Sequence, residues 1–158
     1  MLELISLEKT PRSLDGQLRL DLGQRVKCRL RATLEDGREV GIFLPRGTVL
    51  KDGDVLLSRC GIAVQVIAAE ELLSVCAVDE PLLFARACYH LGNRHVPLQI
   101  QNGLLSYQHD HVLDDMLRGF GLTVDSKMAP FQPENGAYSS GHSTAHDHSH
   151  GHSHAHSH

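Results

Sequence analysis

A chain of 158 residues, 41% hydrophobic and 22% charged, has the composition of an ordinary soluble globular protein of one or two domains. Its net charge of −4 and lack of a long Lys/Arg run argue against nucleic acid and anionic membrane as partners. No apolar run approaches the roughly 18–20 residues that span a bilayer, and the opening MLELISLEKTP is no secretory leader, which implies a cytoplasmic protein.

Residues 1–70 read as short strands. Over residues 25–34 (RVKCRLRATL) the pattern alternates, with Val26, Cys28, Leu30, Ala32 and Leu34 on one face and Arg25, Lys27, Arg29, Arg31 and Thr33 on the other. A period of two predicts a half-buried antiparallel strand. Asp36-Gly37 follows, the dipeptide favoured by a type I′ hairpin, and residues 39–44 return as its partner. Turns at Pro45-Arg46-Gly47 and residues 51–54 precede two further apolar segments. Many short strands and no convincing helix predict a small β barrel or sandwich.

The character changes near residue 70. Residues 72–78 (LLSVCAV) are a nearly continuous apolar run, as in a central strand covered on both faces. Asp79 is the expected N-cap of a helix with Glu80 and Pro81 in its first turn, and Gly92 is the expected C′ glycine. Residues 96–100 alternate as a strand, Asn102-Gly103 is a turn, and residues 104–107 return. Val112, Leu113, Met116, Leu117 and Phe120 recur at helical spacing up to Gly121, and residues 122–124 form a last strand. The order β-α-β-β-α-β predicts a ferredoxin-like split βαβ unit. The fold class is therefore α+β: a β-rich domain over residues 1–70, a ferredoxin-like domain over 71–135, and a disordered His-rich tail over 136–158, too poor in apolar groups to offset its ordering entropy.

Eight of the twelve histidines lie in that tail, at His142, His146, His148, His150, His152, His154, His156 and His158. Neutral imidazole suits Ni(II), Cu(II) and Zn(II), and rings on every second residue of a flexible chain can wrap one ion or hold several. An expression tag is the bland alternative, but tags are usually uninterrupted, and this tract is interleaved with Ser, Ala, Gly and Asp147. The pair His109-x-His111 falls where a strand meets a helix: extended, both rings share a side; helical, they diverge. Two exposed histidines at a helix start are the competing reading. His95, just past the first helix, is on spacing alone more often structural, and His90 suits the negative helix end. The four cysteines, Cys28, Cys60, Cys76 and Cys88, include no CxxC pair and are expected to be small buried hydrophobes. No HExxH, GxxxxGK[ST] or GxSxG occurs, so no catalysis is expected.

The segments YHLGNRHVPLQI (89–100) and SYQHDHVLDDMLRGFGL (106–122), the histidine-rich end, and LPRGTVLKDGDVL (44–56) closely resemble the urease accessory metallochaperone family, UreE. The resemblance covers essentially the whole chain in order. It implies an N-terminal docking domain, a ferredoxin-like metal-binding domain, and a homodimer whose central metal is shared by the GNRH histidine of each copy, here His95. It also implies peripheral ligands at His109 and His111, nickel as cargo, and as partners a urease accessory GTPase and the apo-urease activation complex. One imidazole cannot hold Ni(II) or Zn(II), whereas a two-fold axis supplies a second copy at no cost in sequence. Two readings compete with nickel delivery. One is a general Ni, Zn or Cu store without a delivery partner. The other, a nucleic-acid module on a ferredoxin-like sheet, is disfavoured by 4% aromatic content and negative charge. Metal binding is expected to weaken as pH falls through about 6.5, where imidazole protonates.

Overall fold

A computed structural model describes residues 1–10 and 12–136 of the chain. Six strands, β1 (Leu2–Glu8), β2 (Gly16–Leu20), β3 (Arg29–Thr33), β4 (Glu39–Phe43), β5 (Val55–Ser58) and β6 (Ala63–Ala68), form one sheet in the order β2-β6-β5-β1-β4-β3. The edge strands β2 and β3 curl toward each other: Glu35 N–H donates to Gln17 O at 2.9 Å, and Arg19 pairs with Glu35 at 2.9 Å. The sheet is thus a nearly closed barrel, which leaves little free edge. Its interior is the fully buried set Leu4, Leu18, Val40, Ile42, Leu50, Leu56, Val64 and Val66.

Two expectations for this region fail. Residues 25–34 are not one strand, because Leu22–Arg25 forms a short helix, α1, and pairing with β4 begins only at Arg29. Asp21 and Gln24 close a reciprocal capping box there, so local side-chain bonds outweigh the β alternation. Arg25, assigned to the solvent face, is 1% exposed. The hairpin after β3 is not type I′, which needs positive φ at both central residues. Gly37 has φ 93 but Asp36 does not, and Gly37 N–H donates to Leu34 O, so the turn uses a longer loop ending on glycine.

The second sheet holds β7 (Glu70–Ala77), β8 (Gln99–Gln101), β9 (Leu104–Gln108) and β10 (Asp125–Pro130) in the order β10-β7-β9-β8, every neighbour antiparallel. With helices α2 (Pro81–Gly92) and α3 (His111–Gly119) this is the expected ferredoxin-like arrangement. The helices pack on one face over Cys76, Leu105 and Tyr107, with Ala87, Leu91, Leu113 and Leu117 inside. Several boundaries move. The cap of α2 is Glu80, not Asp79, because the Glu80 carboxylate accepts from Leu82 and Leu83 N–H at 2.9 and 2.6 Å. Gly92 is the last helical residue rather than the C′ glycine. The segment expected as a strand at 96–100 pairs only from Gln99, and the last strand is Asp125–Pro130 instead of 122–124. Leu72, on the strand expected to be covered on both sides, is 47% exposed, although its neighbours Leu73 and Ser74 are buried.

The two sheets meet around α1. Leu22 packs with Leu73 and Phe131, and its N–H donates to the Glu71 carboxylate at 3.0 Å. Arg25 donates to the carbonyl of Phe131, to Gln132 Oε1 at 3.1 Å and to Leu50 O at 3.4 Å, with Glu71 at 3.9 Å. Burial pushes its guanidinium pKa down, and Glu71, Asp21 and Asp52 work against that shift. No helix among the described residues is long and apolar enough to cross a membrane.

Candidate metal centre

The chain leaves α2 through Asn93, an ordinary right-handed C-cap. Arg94 N–H then donates to Leu91 O at 3.1 Å and His95 N–H to Gly92 O at 3.0 Å, winding the GNRH segment into a tight turn. The left-handed residue that ends it is His95 itself, with φ 57, the one positive-φ non-glycine among the described residues. An L-residue there costs of the order of 1–2 kcal/mol, so the turn holds an exposed imidazole where glycine would be easier. His95 lines a cleft of about 700 Å³ between the two sheets, together with Arg25, Leu50, Asp52, Glu134 and Gly136.

His109 and His111 flank the N-cap of α3. His109 N–H donates to Leu72 O at 3.1 Å, which carries the β7 pairing one residue past β9. Asp110 is extended at φ −152, ψ 115, and its carboxylate accepts from Val112 and Leu113 N–H at 2.9 and 3.2 Å. Both His109 and His111 are exposed. Helix α3 begins at His111, one residue earlier than expected.

The ring of His109 faces a buried polar cluster that sequence reasoning missed. Its Nδ1 lies 3.2 Å from Ser74 Oγ and 3.5 Å from Asp114 Oδ2. Asp114 is 3% exposed, and Tyr107, fully buried, donates its hydroxyl to Asp114 Oδ1 at 2.6 Å. Burial first, then the hydrogen bond to Asp114, drives the Tyr107 pKa far above its usual value, so its hydroxyl stays a donor. One signal was available: Asp114 lies three residues before Leu117, on the apolar stripe of α3. Nothing comparable marked Ser74 or Tyr107.

His90 sits in the last turn of α2, at the negative helix end as expected, and stacks on Phe120 at 5.0 Å. Phe120 is the C-cap of α3, so this contact lies about 13 Å along the nine-residue helix from its His111 end, at 1.5 Å rise per residue. The wall of the His95 cleft includes neither His109 nor His111. Among the described residues no group of three or more His, Cys, Asp or Glu side chains gathers closely enough to hold a metal. The histidines from His142 to His158 lie outside the described residues. The cysteines are all free, yet only Cys76 is fully buried; Cys60 is exposed, its thiol pKa lowered chiefly by a hydrogen bond from Ser58.

Comparison with known proteins identifies the family. Residues 3–69 match the model of the UreE urease accessory protein N-terminal domain, and residues 70–158 match that of its C-terminal domain. The chain is 57% identical over 129 residues to the urease accessory protein UreE of Pseudomonas putida strain W619, covering 81% of this chain and 80% of that one. It is 52% identical over 141 residues to the UreE of Escherichia coli O157:H7, covering 89% and 92%. It is 56% identical over 137 residues to that of Proteus mirabilis, covering 87% and 83%.

Proposed function

The chain belongs to the UreE urease accessory protein family, assembly factors rather than enzymes, and from that premise we propose that it is a nickel metallochaperone delivering Ni(II) to apo-urease. The observation that carries the reading is His95: an exposed imidazole fixed at φ 57 by a tight turn at the mouth of a cleft. A single imidazole is too few ligands for nickel, so two copies of the chain contribute their His95 rings to one ion on a two-fold axis. The exposed Leu82 and Tyr89 (57% and 68%) on the adjoining helix offer apolar surface for that homodimer.

His109 and His111 form a second, peripheral pair at the start of α3. The tail histidines from His142 to His158 collect metal and can complete the coordination of the central ion. Zn(II) and Cu(II) fit the same imidazoles in vitro. An incompletely coordinated metal leaves as readily as it arrives, which delivery requires. On this reading residues 1–70 are the docking domain, residues 71–135 the metal-binding domain and 136–158 the collecting tail. The partners are a urease accessory GTPase and the apo-urease activation complex, in the cytoplasm.

The test is to mix the nickel-loaded chain, wild type or His95→Ala, with apo-urease and its accessory proteins and measure urease activity. Delivery predicts activation by the wild type and a large loss in the variant. Equal activation by both contradicts the central-site reading. No activation by either leaves the rival, a general divalent-metal store whose capacity resides in the tail.

A further inference from the structure

Metal binding by a histidine depends on which ring nitrogen carries the proton, and the surroundings of His109 decide that. Asp114 is a buried acceptor and Tyr107 spends its one hydroxyl proton on it at 2.6 Å. Ser74 is paired directly across from Tyr107 in the β7–β9 ladder. The Ser74 hydroxyl, which can accept as well as donate, lies 3.2 Å from His109 Nδ1. The second Asp114 oxygen is also an acceptor, 3.5 Å from the same nitrogen. A bare Nδ1 lone pair would face that carboxylate oxygen unfavourably, whereas an Nδ1–H meets two acceptors.

We propose that Asp114, with Ser74 and Tyr107, is a positioning residue that holds the proton of His109 on Nδ1 and presents Nε2 as the metal-binding nitrogen. Tyr107 donates to one Asp114 oxygen, and the Nδ1–H of His109 then faces the other Asp114 oxygen and Ser74 Oγ. The ring is fixed by its inner edge, while 38% of the side chain remains open to solvent for an incoming ion. A carboxylate behind a ligating imidazole also raises the basicity of the outward nitrogen. The inference rests on the ligand role of His109 proposed above and specifies how that role is carried out. Asp110 does not share the task, since its carboxylate is committed to capping α3.

The test is long-range proton–nitrogen NMR on the full chain with ¹⁵N-labelled histidine, first without metal and then at buffered free zinc, a diamagnetic probe read at each imidazole separately. Wild-type His109 is expected as the Nδ1–H tautomer, with zinc shifting its Nε2. Asp114→Asn keeps the shape but turns an amide donor toward Nδ1. It should switch His109 to Nε2–H and raise the free zinc needed at that ring about tenfold to a hundredfold. Tyr107→Phe removes the donor to Asp114 but leaves the carboxylate, so it should keep the Nδ1–H form despite any loss of stability. An Nε2–H tautomer in the wild type, or an unchanged tautomer and midpoint in Asp114→Asn, overturns the inference and leaves His109 free to be a ligand by another route. The wild-type measurement decides even if Asp114→Asn does not fold. A tautomer that obeys Asp114 while zinc leaves Nε2 unmoved overturns the ligand role of His109 instead.

Discussion

Tyr107 and Asp114, one on the central face of a strand and the other on the buried face of a helix, are joined by a 2.6 Å hydrogen bond in the core of the second sheet. The bond ties α3 to β9 and so sets the position of the His109–His111 corner between them. Removing the hydroxyl strands a buried carboxylate. Tyr107→Phe should therefore lower unfolding free energy by about 1–3 kcal/mol in urea denaturation. The double change Tyr107→Phe with Asp114→Leu should cost less than the sum of its parts, because no orphaned polar group remains.

The left-handed backbone of His95 separates its structural and chemical roles. His95→Gly and His95→Ala both remove the imidazole, but only glycine relieves the strain at φ 57. The glycine variant should be the more stable of the two by about 1 kcal/mol in thermal or urea unfolding. Both should lose the same tight metal site. Unequal metal loss would mean that turn geometry, rather than the ring, governs binding.

Arg25 is the most heavily committed side chain at the junction of the two sheets, donating to Leu50, Phe131 and Gln132 with Glu71 alongside. Its removal leaves buried carbonyls and a carboxylate without their cation. Arg25→Ala should cost about 3 kcal/mol of stability. In small-angle scattering the variant should also be more extended, since Leu22, Leu73 and Phe131 are a small apolar contact to hold the junction alone. A full-strength, equally compact Arg25→Ala would show that this apolar contact suffices.

Glu80 caps α2 through two backbone N–H bonds, which hold its carboxyl below its ordinary value near 4.5. A depressed folded-state value means that the cap stabilises at neutral pH and that its contribution disappears as pH falls through the folded-state value. Glu80→Gln should therefore lower Tm at pH 7, and the difference from wild type should close as pH falls below the ordinary carboxylate value and through the depressed folded-state one. A difference that persists unchanged at pH 3 would point to packing rather than charge.

The architecture was readable because its signals are local. The turn glycines and the apolar spacing of Leu113 and Leu117 act within a few residues. What escaped is what depends on the third dimension. Arg25 follows the alternation of a strand, yet the capping box of Asp21 and Gln24 turns it inward, and its partners Phe131 and Gln132 lie more than a hundred residues away. The left-handed conformation settles on His95 instead of the nearby Gly92, which no propensity scale would predict. At the site, His95, His109 and His111 were legible as ligand types, but Ser74 and Tyr107 read as ordinary strand residues until β7 and β9 were paired.

The central claim, that His95 of two copies shares the tightest ion, is tested most directly by nickel titration of the full chain and of His95→Ala, with molecular mass followed by light scattering. The account predicts a first nickel bound at one ion per two chains in a dimer. That event should be missing from His95→Ala, while the weaker capacity of the remaining histidines persists. A tightest site that survives His95→Ala with unchanged affinity and stoichiometry would contradict it.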